Sequence, residues 1–276
     1  MGNVFNENID FLVMSTVSIA IAFAMLVLTR FVIHKMFENS YKSLKEIETN
    51  GNHAVAIRHA AIYIGVAMAM IGVINSPIDQ LIDGFSALVF MLAAILVSDK
   101  IVFSKIVNSE AIAKGNLSLA IAEAGIFIGT GNIALASFSG SGPYISSIVF
   151  FILGQIAFVS AALLIERVYS GIKGMIRNEN VSAGILLGSV ILGISFILRA
   201  AIYGDFQGWA HDIESFFIYA VFGFVLLFLF ANKMIDWIFL PNSIIREQLE
   251  KDNISAIVVV SGMKLAIALI VSGAIL

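Results

Sequence analysis

The stretch Glu46–Gly65, EIETNGNHAVAIRHAAIYIG, passes from a charged loop into an apolar run, and looser copies of it return three times before the chain ends. Set on one asparagine, the copies read NHAVAIRHAAIYIG from Asn52, NLSLAIAEAGIFIG from Asn116, NVSAGILLGSVILG from Asn180 and NISAIVVVSGMKLA from Asn253. They are spaced 64, 64 and 73 residues apart. A fixed period of this length marks an architecture of repeated supersecondary units. Each unit holds an apolar run, a basic loop and a second apolar run. The nine additional residues before the last copy fall around YGDFQGWAHD, a long outer connection that also offers itself as a division between halves.

Around this repeat the composition leaves one solvent. Hydrophobic side chains occupy 59% of the 276 positions and charged ones 13%, outside the balance of water-soluble domains. Eight runs are long enough to cross about 30 Å of hydrocarbon as helices, near 11–28, 54–74, 81–97, 117–138, 144–165, 181–201, 213–231 and 254–276. They are continuous rather than alternating, which favours helices over a barrel. The expected fold is all-α, a polytopic bundle of eight transmembrane helices in four parallel two-helix repeats. Residues 1–138 form the first half and 139–276 the second. The absence of cysteine removes disulfides, thiolate metal sites and redox dithiols.

Lysine and arginine occupy alternate loops: Arg30, Lys35, Lys42 and Lys45, then Lys100, Lys105 and Lys114, then Arg167, Lys173 and Arg177, then Lys233, Arg246 and Lys251. The intervening loops and both termini carry none, and between them hold Glu7, Asp10, Asp79, Asp83, Asp205, Asp212 and Glu214. Basic loops stay in the cytoplasm, so both termini are expected outside. With two spans per unit, every unit returns to its starting side, and all four share one orientation. That excludes inverted repeats at this level and suggests a two-fold or four-fold axis along the membrane normal.

Each repeated asparagine (Asn52, Asn116, Asn180, Asn253) stands where a polar loop enters an apolar helix. There its side-chain carbonyl can accept from the unpaired N–H groups of the first turn. Small residues follow at nine and thirteen positions: Ala61 and Gly65, Gly125 and Gly129, Ser189 and Gly193, Gly262 and Ala266. In lipid such pairs let helices approach closely, so the second helix of each unit is expected on an internal seam. The loop sequences KMFENSYKSLKEIETN and IFLPNSIIREQLEKDN carry apolar residues at near-helical spacing, a pattern for surface helices that meet membrane lipid or a soluble partner.

Ionisable groups inside the spans point to a site. Glu123 lies seven residues after its asparagine, level with His59 of the first unit, with Arg58 beside it, and Lys264 lies eleven after its own. Neutralising a carboxyl at pH 7 costs about 3.7 kcal/mol and a lysine about 4.6 kcal/mol, against roughly 2.5–3.5 kcal/mol for inserting a charge. Lys264 is therefore expected to stay charged and reach back toward Glu123, with His59 and Arg58 contributing. Arg199 is expected to meet Asp205 or water, and Asn132 and Gln155 to bond between helices. The histidines form no one-turn pair, so no metal site or cofactor is expected, and no nucleophile or phosphate-binding motif argues for an enzyme.

The segments DWIFLPNSIIREQLEKDNISAIVVVSG and DKIVFSKIVNSEAIAKGNLSLAIAEAG resemble the YjfL-like bacterial inner-membrane family (domain of unknown function 350), here as two fused copies. In that pattern an aspartate at an inner helix end precedes an acidic loop helix and then an asparagine. Asp99 stands 17 residues before Asn116, and Asp236 17 before Asn253; Lys35 and Glu166 mark departures in the other two units. The resemblance implies a bacterial cytoplasmic membrane and a link with PspA-type cytoplasmic stress proteins. It implies no established activity. Two functions follow as expectations: a channel- or transporter-like passage for an ion or small polar solute about the repeat axis, alone or as a homo-oligomer, or a non-enzymatic scaffold that recruits a cytoplasmic partner or senses lipid.

Overall fold

The computed structural model describes residues 2–37, 45–74, 80–103, 108–230, 234, 235, 237 and 244–276. Among these every regular element is helical. The long helices are α1 (Gly2–Phe37), α2 (His53–Ile74), α3 (Gln80–Val102), α5 (Leu117–Ser137), α6 (Tyr144–Val168), α8 (Val181–Ile202), α9 (Trp209–Val225, continued by a π turn, Leu226–Phe230) and α11 (Ile254–Ile275). Eight spans within them are long and apolar enough to cross a membrane. The short helices α4 (Asn108–Ala113), α7 (Ile172–Arg177) and α10 (Ile245–Glu250), with a π turn at Lys45–Thr49, lie just before the four asparagines.

Why those asparagines recur is visible in the turns. The residue before each one has a left-handed backbone: Gly51 (φ 63), Gly115 (φ 93), Glu179 (φ 64) and Asp252 (φ 49). This conformation ends one helix and reverses the chain into the next. The asparagine carbonyl then caps the new helix, accepting from the N–H of Ala54 and Val55, of Leu119, of Ala183 and of Ala256. Each cap is worth about 1 kcal/mol.

The side-chain amide has a second task that the cap alone does not explain. The Asn52 amide donates to the carbonyls of Ile112 and Ala113 at 3.2 and 3.0 Å, that of Asn116 to Ile176 at 3.0 Å, and that of Asn180 to Leu249 at 2.7 Å. Each unit is thus tied to the loop helix of the following one. Asp252 adds to the last of these junctions, its carboxylate accepting from the Ser182 N–H at 2.8 Å. Across the opposite ends of the bundle, Asp205 accepts from the Ser141 hydroxyl at 2.5 Å and from its N–H at 3.3 Å. These bonds hold the Asp205 carboxyl below the usual aspartate range. The contact therefore persists at neutral pH and is lost as pH falls through that lowered value.

Between these ties the helices touch by backbone. A Cβ on Gly65 would stand 2.5 Å from the carbonyl oxygen of Phe127, and one on Gly72 2.5 Å from that of Leu135. Gly131 abuts Gly65, Gly125 abuts Gly188, and Gly184 abuts Ser118. Contacts ascend together on both partners, so α2 and α5 run in the same direction, as do α5 and α8. The result is a row, α2–α5–α8–α11, in chain order. Of the remaining long helices, α3 packs on α2 and α5, α6 on α5 and α8, α9 on α8 and α11, and α1 on α2 and α3.

The row is open, which corrects the expected symmetry axis. The α5 and α8 spans are 83% and 72% buried, whereas α11 at the far end is 33% buried and α1 at the near end 11%. Among the described residues, helix α11 packs mainly on α8, with α9 and α10, and forms no substantial contact with α2. The expected packing residues divide accordingly: Ala61, Gly65, Gly125, Gly129, Ser189 and Gly193 are buried, and Gly262 and Ala266 are exposed.

Candidate functional site

The seam between the first two units encloses a charge cluster. Arg58 lies six residues beyond Asn52 and Glu123 seven beyond Asn116, so the stitched caps bring them to one level, about 10 Å along their helices. Arg58 Nε stands 2.9 Å from Glu123 Oε2, and Nη2 stands 3.7 Å from Asp99 Oδ2 at the end of α3. Nη1 donates to the Ser109 hydroxyl of α4 at 3.4 Å. The Asn108 side chain stands beside the Glu123 carboxyl. Glu123 is fully enclosed and the Arg58 side chain is 2% exposed, while that of Asp99 reaches 12%.

One guanidinium therefore faces two carboxyls in surroundings that admit almost no water. A buried ion pair recovers its desolvation cost only with close geometry and further hydrogen bonds. Arg58 faces three partners from one planar group, pairing by charge with Glu123 and Asp99 and donating to Ser109, a role for which a guanidinium is suited and a lysine is not. Among the described residues, with both carboxyls ionised, these pairs set two negative charges against one guanidinium. Such intramembrane groups mark ion or proton sites by default.

The expected partnership of Glu123 with Lys264 is replaced by that with Arg58. Helix α8 stands between α5 and α11, so equal depth does not bring the two residues together. Lys264 is buried on α11 with its ammonium 5.6 Å from the centre of the Tyr169 ring. His59 also turns elsewhere: its Nδ1 lies 2.8 Å from the Val55 carbonyl, and its ring lines a 220 Å³ cavity with His34 and Tyr63. Asp99, expected only as part of a pattern, joins the site, whereas Asp236 lies outside the described residues. Asn132 bonds across the α5–α8 seam to Ser195 at 3.1 Å, and Gln155 accepts from Thr130 at 3.5 Å. Asp205 bonds Ser141 rather than Arg199. Among the described residues no group of acidic and histidine side chains is arranged to hold a metal.

Eight helices long and apolar enough to cross a membrane define a multi-pass α-helical membrane protein. Within that class, the chain belongs to the DUF350 family (Domain of Unknown Function), which matches residues 7–138 and again 140–275. It is similar to a UPF0719 transmembrane protein of Aquifex aeolicus (strain VF5), with 27% identity over 260 residues, covering 91% of this chain and 96% of that protein. No solved structure matches it.

Proposed function

We propose that the protein is a non-enzymatic, channel- or transporter-like passage for an ion, with Arg58, Glu123 and Asp99 as the station that holds the ion's charge. The observation behind this reading is that, among the described residues, two carboxyls face one guanidinium in an enclosed intramembrane site. A proton or a small cation would balance the second carboxyl. In this reading the conducting path runs along the seam between the first two hairpins, and the close backbone contacts let adjacent helices shift in discrete steps. The four hairpins share one orientation, both termini face outward, and the basic loops face a bacterial cytoplasm.

A second reading rests on a different feature. Arg167 and Arg246 line a 220 Å³ cavity with Tyr169 and Ser170 among the basic loops, and such a cavity suits an acidic segment of a cytoplasmic partner, a PspA-type protein being one candidate, or an anionic lipid head group.

Flux separates the two. Purified protein in sealed vesicles is expected to dissipate an imposed proton, sodium or potassium gradient, and Glu123→Gln, which keeps the shape of the side chain, is expected to slow this at least about tenfold, an effect of roughly 1.4 kcal/mol on the barrier. A parent protein that passes none of these ions contradicts the passage reading.

A further inference from the structure

The three internal seams share one contact, the thirteenth residue after the leading asparagine on the fifteenth after the following one: Gly65 on Gly131, Gly129 on Ser195 and Gly193 on Ala268. Counted from its asparagine, the leading helix offers its second, ninth and thirteenth residues, and the following helix receives them with its fourth, eighth, eleventh and fifteenth. Ser118 meets Gly184, Gly125 meets Gly188, Gly65 meets Phe127 and Gly131, and Gly193 meets Ala268. The α5–α8 seam joins the two family-matched stretches and the α2–α5 seam lies inside one of them. One family domain therefore meets the next through the same surface that it uses internally.

Both halves of this surface are left over at the ends of the row. On α11 the leading positions Ser255, Gly262 and Ala266 are exposed, and a Cβ on Gly262 would meet nothing within 4 Å. On α2 the receiving positions include Ala60, also exposed, and Ala56, half-buried. Beside them the 220 Å³ cavity lined by Phe31, His34, His59 and Tyr63 lies between α1 and α2, as α2 itself lies between α3 and α5. The amides show the same asymmetry. Three asparagines bond the carbonyl four residues before the next asparagine, whereas Asn253 turns back to Gln248 of its own unit at 2.8 Å.

We infer that the α11 edge of one copy packs against the α1–α2 edge of a second copy and continues the row, with the Asn253 amide turned to the Glu48 carbonyl of that copy. The two edges differ, so the association is head-to-tail, and it produces a ring or a filament according to the rotation between copies. A passage formed by one chain does not require it.

The chain lacks cysteine, which makes engineered thiols clean reporters. Ala60 and Gly262 occupy the eighth and ninth positions, the counterparts of Gly188 and Gly125. Differently tagged Ala60→Cys and Gly262→Cys chains, produced in one membrane and oxidised, are expected to give a mixed covalent dimer, and neither variant alone a dimer. No mixed product, or equal dimers from each variant alone, overturns the proposal. Gly262→Val meets no neighbour within its own chain, so it is expected to fold while the multimeric fraction, read by native mass spectrometry from lipid nanodiscs, falls at least about tenfold. A monomeric parent, or an unchanged multimeric fraction, overturns it equally.

Discussion

Replacing Arg58 with Leu is expected to destabilise the protein by about 3–5 kcal/mol, because it leaves two buried carboxyls without their cation. On that scale the folded fraction shifts by a factor of hundreds or more. The doubly substituted Arg58→Leu, Glu123→Leu protein is expected to recover most of the loss, since a buried ion pair exchanged for packed apolar groups is often neutral or better. Asp99, at the partly exposed inner edge of the cluster, then keeps its access to water. Unfolding titrations with a denaturing detergent measure both variants. A double variant no more stable than the single one would mean that Arg58 contributes by filling space, not by charge.

Almost as large an effect is expected at Gly131→Val. Its Cβ would be driven into the backbone of Gly65, and the opposing atoms belong to a helix rather than to the end of a flexible side chain. Overpacking of a close core costs typically 1–3 kcal/mol and sometimes more. Here relief requires parting α2 from α5, so a loss of about 3 kcal/mol or more is expected, with weakened Arg58–Glu123 pairing as a consequence. Gly273→Val, at a position where a Cβ would meet nothing within 4 Å, is the control and is expected to stay within about 0.5 kcal/mol in the same titration. Equal losses from the two would show that helix propensity, not contact across the seam, sets the cost.

The spans and caps were legible because both are local: length and hydrophobicity select the helices, and an asparagine before an apolar run selects its own cap. The row was not legible, since Gly65, Gly129, Gly193 and Ala266 sit at comparable positions in every unit and do not say which helix meets which. The same limit explains Lys264. Its distance from Asn253 gives its depth relative to Glu123 but not its lateral position, and α8 separates the two. One signal did point across the seam. Serine, threonine or aspartate can also cap a helix, but asparagine alone among these couples a carbonyl acceptor to two amide donors, and all four positions carry it. The recruitment of Asp99 needed α3 placed beside α2, which the spacing from Asn116 leaves open.

Neighbouring hairpins stand side by side in chain order, with corresponding connections at the same end of the bundle. Ser141 and Asp205 lie in successive connections on the face opposite the asparagines, 64 residues apart and in direct contact. In the chain carrying Ser141→Cys and Asp205→Cys, oxidation of intact cells is expected to close an intramolecular disulfide. Before oxidation, both thiols are expected to react with a membrane-impermeant reagent added from outside. Thiols that stay unreactive from outside and never join would contradict the row and its orientation together.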